Sequence, residues 1–366
     1  MFLVIMAGVH VPSPLSHGLQ EPFGFTSAAE GFIFLSACLA GMVYGKTYLK
    51  GGWTEMSRRV WNRARLVYIV HLAVLLPVAL IAWLYARQVA PLANHFHDFL
   101  LHPLGSLLLI PLLLHQPPLF DILPLYVVLL LATPFAFATA RRHGWGIVLS
   151  VSFLGWLAAQ FPATHFPANT LPIRGGSFNL LAWQFLWFAG VALGETSQRG
   201  KIIPEKLRKF FLAAAGIIVL SGLCARHGLI AVNTPLFLWM DKWTLGPLRL
   251  VNFAAWVVFL VAWNPRPPAA LMEQTALWGR HSLAVFALHL PLVVCAASVI
   301  QMFPMTDMEK IFLGLSVIAA ISIWVAWLEH NAAFRKNLPT LAAQPWLQRL
   351  LHREIIRSAP IKPTAG

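Results

Sequence analysis

Residues 26–45, TSAAEGFIFLSACLAGMVYG, and residues 66–87, LVYIVHLAVLLPVALIAWLYAR, decide the fold. Each is an almost wholly apolar run of about 20 residues, the length an α-helix needs to cross a hydrocarbon layer roughly 30 Å thick. The stretch between them carries Lys46, Lys50, Arg58, Arg59, Arg63 and Arg65. Two apolar helices joined by a basic connection read as a pair of membrane spans whose connection faces the cytoplasm, where Lys and Arg accumulate.

The rest of the chain repeats the pattern, with apolar runs at 121–140, 144–161, 177–195, 208–226, 248–264, 278–300 and 310–328. Met1 to Val11 is apolar but too short to span. It has neither the basic start nor the small-residue cleavage site of a signal peptide, and it reads as the second half of a helix whose beginning is missing. Residues 88–120 include LLHPLGSLLLIPLLLHQPPLF, where prolines and histidines favour a re-entrant or interfacial piece over a full span. The expectation is an all-α, polytopic integral membrane helical bundle of about ten transmembrane helices, the first truncated. A single transmembrane domain over 1–330 is followed by a basic tail at 331–366, an amphipathic or disordered end drawn to anionic lipid. Composition agrees: 58% of residues are hydrophobic, only 11% are charged and mean hydropathy is +0.69. A soluble domain carries roughly 25% charged residues.

A net charge of +14, from 27 Lys+Arg against 13 Asp+Glu, would suggest nucleic acid in a soluble protein. Here 21 of the 27 basic residues fall in alternate connections, so the charge records orientation, places both termini in the cytoplasm and implies no nucleic-acid partner. The three cysteines, Cys38, Cys224 and Cys295, sit in apolar runs without CxxC spacing, and no metal site is expected. P-loop, HExxH, GxSxG and Rossmann glycine patterns are absent, which removes the usual signatures of ATP-driven transport and soluble-type hydrolysis.

Against so little charge, polar residues in spans mark candidate functional positions. Glu30 lies at an outer helix start, where Ser27-x-x-Glu30 is also a capping box; a carboxylate there could cap and act as acid or base. His10 ends the first apolar stretch, an interfacial position, and imidazole is a suitable base for a hydroxyl attacking a thioester. Arg63 and His71 are eight residues apart, so they share a helix face about 12 Å apart. Basic residues at the inner mouth follow the positive-inside rule and would also suit an anionic donor carrying phosphates. Asp121 can cap its helix, and Tyr126 places a hydroxyl inward or at the interface. Asn179, Trp183 and Gln184 suggest interhelical hydrogen bonds. Arg249 and Asn252, one turn apart at an outer helix start, face a cavity on this reading and could hold an anionic acyl group. Ser282 and His289 are too far apart along one helix for a nucleophile–base pair.

The segments EPFGFTSAAEGFIFLSACLAGMVYGK, RVWNRARLVYIVHL, FDILPLYVVLLLATP, FNLLAWQFLWFAGVALG, GPLRLVNFAAW and LWGRHSLAVFALHL occur in the order and spacing of the OpgC-like membrane acyltransferases. The chain resembles that family, itself related to the type 3 membrane acyltransferases, from about Met1 to His330. The resemblance implies a bacterial inner-membrane bundle that takes an acyl group, succinyl or similar, from cytoplasmic acyl-CoA. It passes that group to a periplasmic glycan acceptor such as osmoregulated periplasmic glucan, with acyl-CoA as donor substrate and no bound cofactor. Glu30 matches the acid of the family's AAE segment, and His10 the histidine of its D-H-x-P segment. Arg63, Tyr68 and His71 match its R-x-x-x-x-Y-x-x-H stretch, and Arg280, His281 and Ser282 its GRHS stretch. The aspartate expected before His10 is Val9 here, and the glycine of an LSG segment is Ala37.

On this reading His10 and Glu30 are catalytic. Arg63, Tyr68, His71, Asp121, Tyr126, Gln184, Arg249, Asn252, Arg280, His281 and Ser282 bind the substrates. A secondary transporter or flippase would also bury His and Glu along a path, but it would be expected to show repeat symmetry that this sequence lacks. A non-catalytic family member is the third alternative.

Overall fold

The computed structural model describes residues 1–85, 89–161, 176–199, 204–230, 239–265 and 268–331, so nearly all of the basic tail lies outside the described residues. Among the described residues the chain is helical and contains no strand. The helices are α1 (Phe2–His10), α2 (Pro14–Leu19), α3 (Ala28–Tyr85), α4 (Ala90–His95), α5 (His97–Leu101), α6 (Pro103–Leu109) and α7 (Ile122–His143). They continue as α8 (Trp145–Ala158), α9 (Leu180–Thr196), α10 (Glu205–Arg226), α11 (Pro247–Trp263), α12 (Ala269–Arg280), α13 (Ser282–Met302) and α14 (Asp307–His330).

The two deciding runs and their basic connection form α3, which is two helices meeting at Gly52 (φ 66°, ψ −166°). A side chain at that φ would be strained, so the second glycine of Gly51-Gly52 lets the chain turn while remaining helical on both sides. Of residues 89–120, the part from Ala90 to Leu109 forms the three short helices α4–α6 rather than a span. The run expected at 278–300 breaks at His281, between α12 and α13.

Among the described residues, five helices are long and apolar enough to cross a membrane: α3, α7, α10, α13 and α14. The expected count of about ten spans is not reached by this measure, although α3 carries two of the apolar runs. The apolar α8 and α11 have 14 and 17 residues, about 21 and 26 Å of helix, short of a hydrocarbon core of roughly 30 Å.

Alternation across α3 shows how the bundle is held. Leu35, Leu39 and Val43 are half exposed or more, a stripe that suits lipid, while Phe34, Ala37, Gly41 and Gly45 face inward against α9. Gly41-x-x-x-Gly45 of α3 meets Gly190-x-x-x-Gly194 of α9. A Cβ built on Gly194 would lie 2.0 Å from the Cys38 carbonyl oxygen, and one on Gly41 2.1 Å from that of Val191. Small residues on both faces thus let two backbones touch, the packing that replaces hydrophobic burial between helices in lipid. The main core joins α1, α3, α7, α9, α13 and α14 around the fully buried Trp183, Trp187, Phe137 and Phe286. A separate small cluster couples α10 to α11 through Ala215, Val219 and Ala255.

Candidate functional site

The start of α3 gathers the buried charge. Ser27 is its N-cap residue, and Glu30 stands at the third helical position. Oε2 of Glu30 accepts a hydrogen bond from the Ser27 backbone N–H at 3.0 Å and another from the Ser27 hydroxyl, while Ala29 N–H donates to Ser27 Oγ at 3.3 Å. Oε1 accepts from Nε of Arg249. One carboxylate therefore closes the cap and forms the ion pair, with no solvent exposure.

Arg249, 1% exposed in the first turn of α11, links this cap to the rest of the network. Its Nη1 donates to Glu21 Oε1 at 2.7 Å and to the Met240 carbonyl at 3.4 Å. Glu21 accepts in turn from Arg226 Nε, at the end of α10, at 2.8 Å. The charges alternate Glu30, Arg249, Glu21, Arg226, so each buried ion faces an opposite one. Beside them Thr26 Oγ1 donates to Asn252 Oδ1 at 3.2 Å. Arg249 Nη2 and Asn252 Nδ2 are buried and have no partner.

Lys242 joins the group from the connection before α11. Indole N–H groups fasten that connection to the bundle, Trp156 donating to the Leu245 carbonyl at 2.9 Å and Trp183 to the Trp243 carbonyl at 3.0 Å. Burial lowers the Lys242 ammonium below the usual lysine pKa, opposed by Glu30, reinforced by Arg249, and opposed again by Glu21 and Asp121.

His10 lies within electrostatic reach of Lys242, His289 and His95. Its ring stacks on His289 at 5.6 Å between centroids and 19° between planes, and His10 Nδ1 is buried without a partner. His71, 1% exposed, has neither ring nitrogen partnered.

Other expected site residues are held elsewhere. Arg63 lies beside the hydroxyl of Tyr126, whose ring packs on Phe32 and Trp187; Tyr68 donates to the Pro111 carbonyl at 2.8 Å. Asp121 makes no side-chain cap on α7, contrary to its sequence reading. Its Oδ2 instead accepts from the Ser177 backbone N–H at 2.9 Å, because the chain returns past it at Gly176. Asn179 caps α9 by accepting from the Leu181 and Ala182 amides at 3.0 and 3.3 Å, rather than bridging helices.

Gln184 does bridge helices: its Nε2 donates to the Ser152 carbonyl at 2.6 Å and its Oε1 accepts from the Ser152 hydroxyl. Gln184→Leu is expected to weaken the α8–α9 contact by about 1–2 kcal/mol, read from unfolding in detergent. No loss would assign the bridge no net stabilisation. Arg280 and His281 both engage Glu329 of α14, at 3.3 and 2.6 Å, and Ser282 opens α13 next to them.

At the other end of the first arm of α3, a cleft of about 390 Å³ opens at the Gly52 break, lined by Lys46, Thr47, Lys50, Gly51, Glu55 and Arg59. Hydrogen bonds from Arg59 and Arg58 hold the Glu55 carboxyl below its usual range. From Glu30 to Lys50 is about 30 Å along the helix, the thickness of a hydrocarbon core.

Sequence reading missed Glu21, Arg226 and Lys242 as site residues. Their signal was scarcity, since the side expected to face outward holds only six basic residues and these three charges converge there.

No curated protein and no solved structure matches this chain. A family model described as OpgC protein matches residues 1–333. Spanning nearly the whole chain, that match shows that the protein belongs to the OpgC protein family.

Proposed function

We propose that this protein is an inner-membrane O-acyltransferase that moves an acyl group, succinyl or similar, from cytoplasmic acyl-CoA to a periplasmic glycan such as osmoregulated periplasmic glucan. Family membership is consistent with that class of enzyme. The observation that carries the reading is His10, a half-buried imidazole whose Nδ1 is buried without a partner, within electrostatic reach of Lys242, which in turn interacts with Glu30 and Arg249.

His10 takes the proton of the acceptor hydroxyl as its oxygen attacks the thioester carbonyl. Both oxygens of Glu30 are committed to Arg249 and Ser27, so its part is to hold Arg249 in place. Arg249 Nη2, the unpartnered end of the guanidinium, suits the carboxylate of a dicarboxylic acyl group. The basic cleft at Gly52, on the cytoplasmic side in this reading, engages the CoA phosphates through Lys46, Lys50 and Arg59. Since cleft and histidines lie at opposite ends of a span, the thioester must reach inward along a passage beside α3.

Membranes carrying the full chain are expected to transfer label from succinyl-CoA or acetyl-CoA to a periplasmic glucan. His10→Ala should lower kcat about 10²- to 10⁴-fold. A wild-type protein that moves substrate across vesicles without forming an ester would replace the enzyme by a transporter.

A further inference from the structure

The stacked histidines carry more than the position of His10. His289, on α13, is 2% exposed; its ring stacks on that of His10 and meets that of Phe286 in a T-shaped contact, 5.2 Å between centroids at 81°. Nδ1 of His289 lies 3.2 Å from the Phe286 carbonyl oxygen, one turn earlier in the same helix. A carbonyl oxygen can only accept, so Nδ1 carries the hydrogen and the neutral ring keeps its lone pair on Nε2. That Nε2 is buried and unpartnered. A backbone hydrogen bond thus selects the tautomer while the basic nitrogen is left bare, an arrangement that costs stability and that nothing in the packing requires.

We propose that His289 is the second histidine of the reaction centre: it positions the His10 ring by stacking and shares its proton load, so that the two titrate as one coupled pair. The chemical part rests on the acyl-transfer reading; the coupling does not. In the transfer step the acceptor O–H bond breaks, a C–O bond forms at the acyl carbonyl, and the C–S bond to CoA breaks. The proton passes through the histidine pair and ends on the CoA sulfur. Stacked imidazolium rings repel, so a proton on one opposes a proton on the other and the pair returns to the basic form after each transfer.

Among the described residues the other groups around the pair are few. Lys242 and His95 act on His10. On α3, His71 lies one turn before Leu75, which packs in the same cluster as Leu290 of α13. α14 keeps its charged residues Asp307, Glu309, Lys310 and Glu329 in its first and last turns.

The test uses the full chain in lipid nanodiscs, comparing wild type with His289→Phe, which keeps an aromatic ring for the stack, and His289→Asn, which keeps an N–H for the Phe286 carbonyl. Imidazole ¹⁵N spectra followed against pH should show His10 titrating in two coupled steps in wild type. In either variant it should titrate in a single step, at a pH higher by about one unit. With labelled acyl-CoA and glucan, both variants should lose about tenfold to a hundredfold in kcat with little change in KM, and the acid limb of kcat/KM should move up with the His10 titration. Full activity in His289→Phe with an unmoved acid limb, or single-step titration of His10 in wild type, overturns the proposal. Coupled titration in a wild-type protein that transfers nothing would support the pair and refute the acyltransferase reading instead.

Discussion

Glu30→Ala is expected to destabilise the folded bundle by about 3–5 kcal/mol, the range for breaking a buried ion pair from one side. The substitution removes the counter-ion of Arg249, which is 1% exposed and cannot turn to water. Glu21 remains, but it already serves Arg226 through its other oxygen, so two guanidinium groups would share one carboxylate. The reciprocal half of the α3 cap goes in the same change, because Ser27 N–H and Oγ both donate to Glu30, while the Ala29 N–H to Ser27 Oγ bond remains. Unfolding in mixed detergent measures the loss. The double variant Glu30→Gln with Arg249→Met should recover part of it, since uncharged replacements of both partners leave no bare charge between them. A single variant within about 1 kcal/mol of wild type would show that the network is not what holds α3 to α11.

Gly194→Ala is the second large effect, roughly 3 kcal/mol from one added methyl group. The new carbon would sit 2.0 Å from the Cys38 carbonyl oxygen and 2.8 Å from Cys38 Cα, all backbone, so no side-chain rotation relieves the clash and α3 must move away from α9. Gly146→Ala is the control: it also lies within a helix, α8, with nothing within 4 Å of the added carbon. Its stability should not fall. Equal behaviour of the two variants would mean that the helices separate freely at Gly194, against the contact seen between them. Because Gly41 presents the mirror contact, at 2.1 Å from the Val191 oxygen, the pair of sites should couple rather than add.

These glycines show what was legible in the chain and what was not. Both GxxxG spacings can be read directly, but which helix each one meets depends on where α3 and α9 cross. Glu30 is similar: Ser27-x-x-Glu30 forecasts the cap, which forms, yet gives no sign of Arg249, 219 residues away. Arg249 could be picked out as a charge out of place, though it meets Glu21 and Glu30 rather than open space. Asp121 misled, because a helix-start aspartate reads as a cap until another segment offers it the Ser177 amide. His289 looked inert on its own helix; its partner comes from α1.

The amino-acid sequence by itself determined that the chain is helical and suited to lipid. Apolar runs of span length can satisfy their backbone hydrogen bonds only within themselves, so composition and run length settle that outcome locally. Tertiary structure alone decided which charges neutralise one another, which imidazoles stack and where two backbones touch. The ion pairs of Arg249 and the His10–His289 stack join residues more than two hundred positions apart, and the energies of all these contacts depend on distances of a few ångströms that local spacing does not encode.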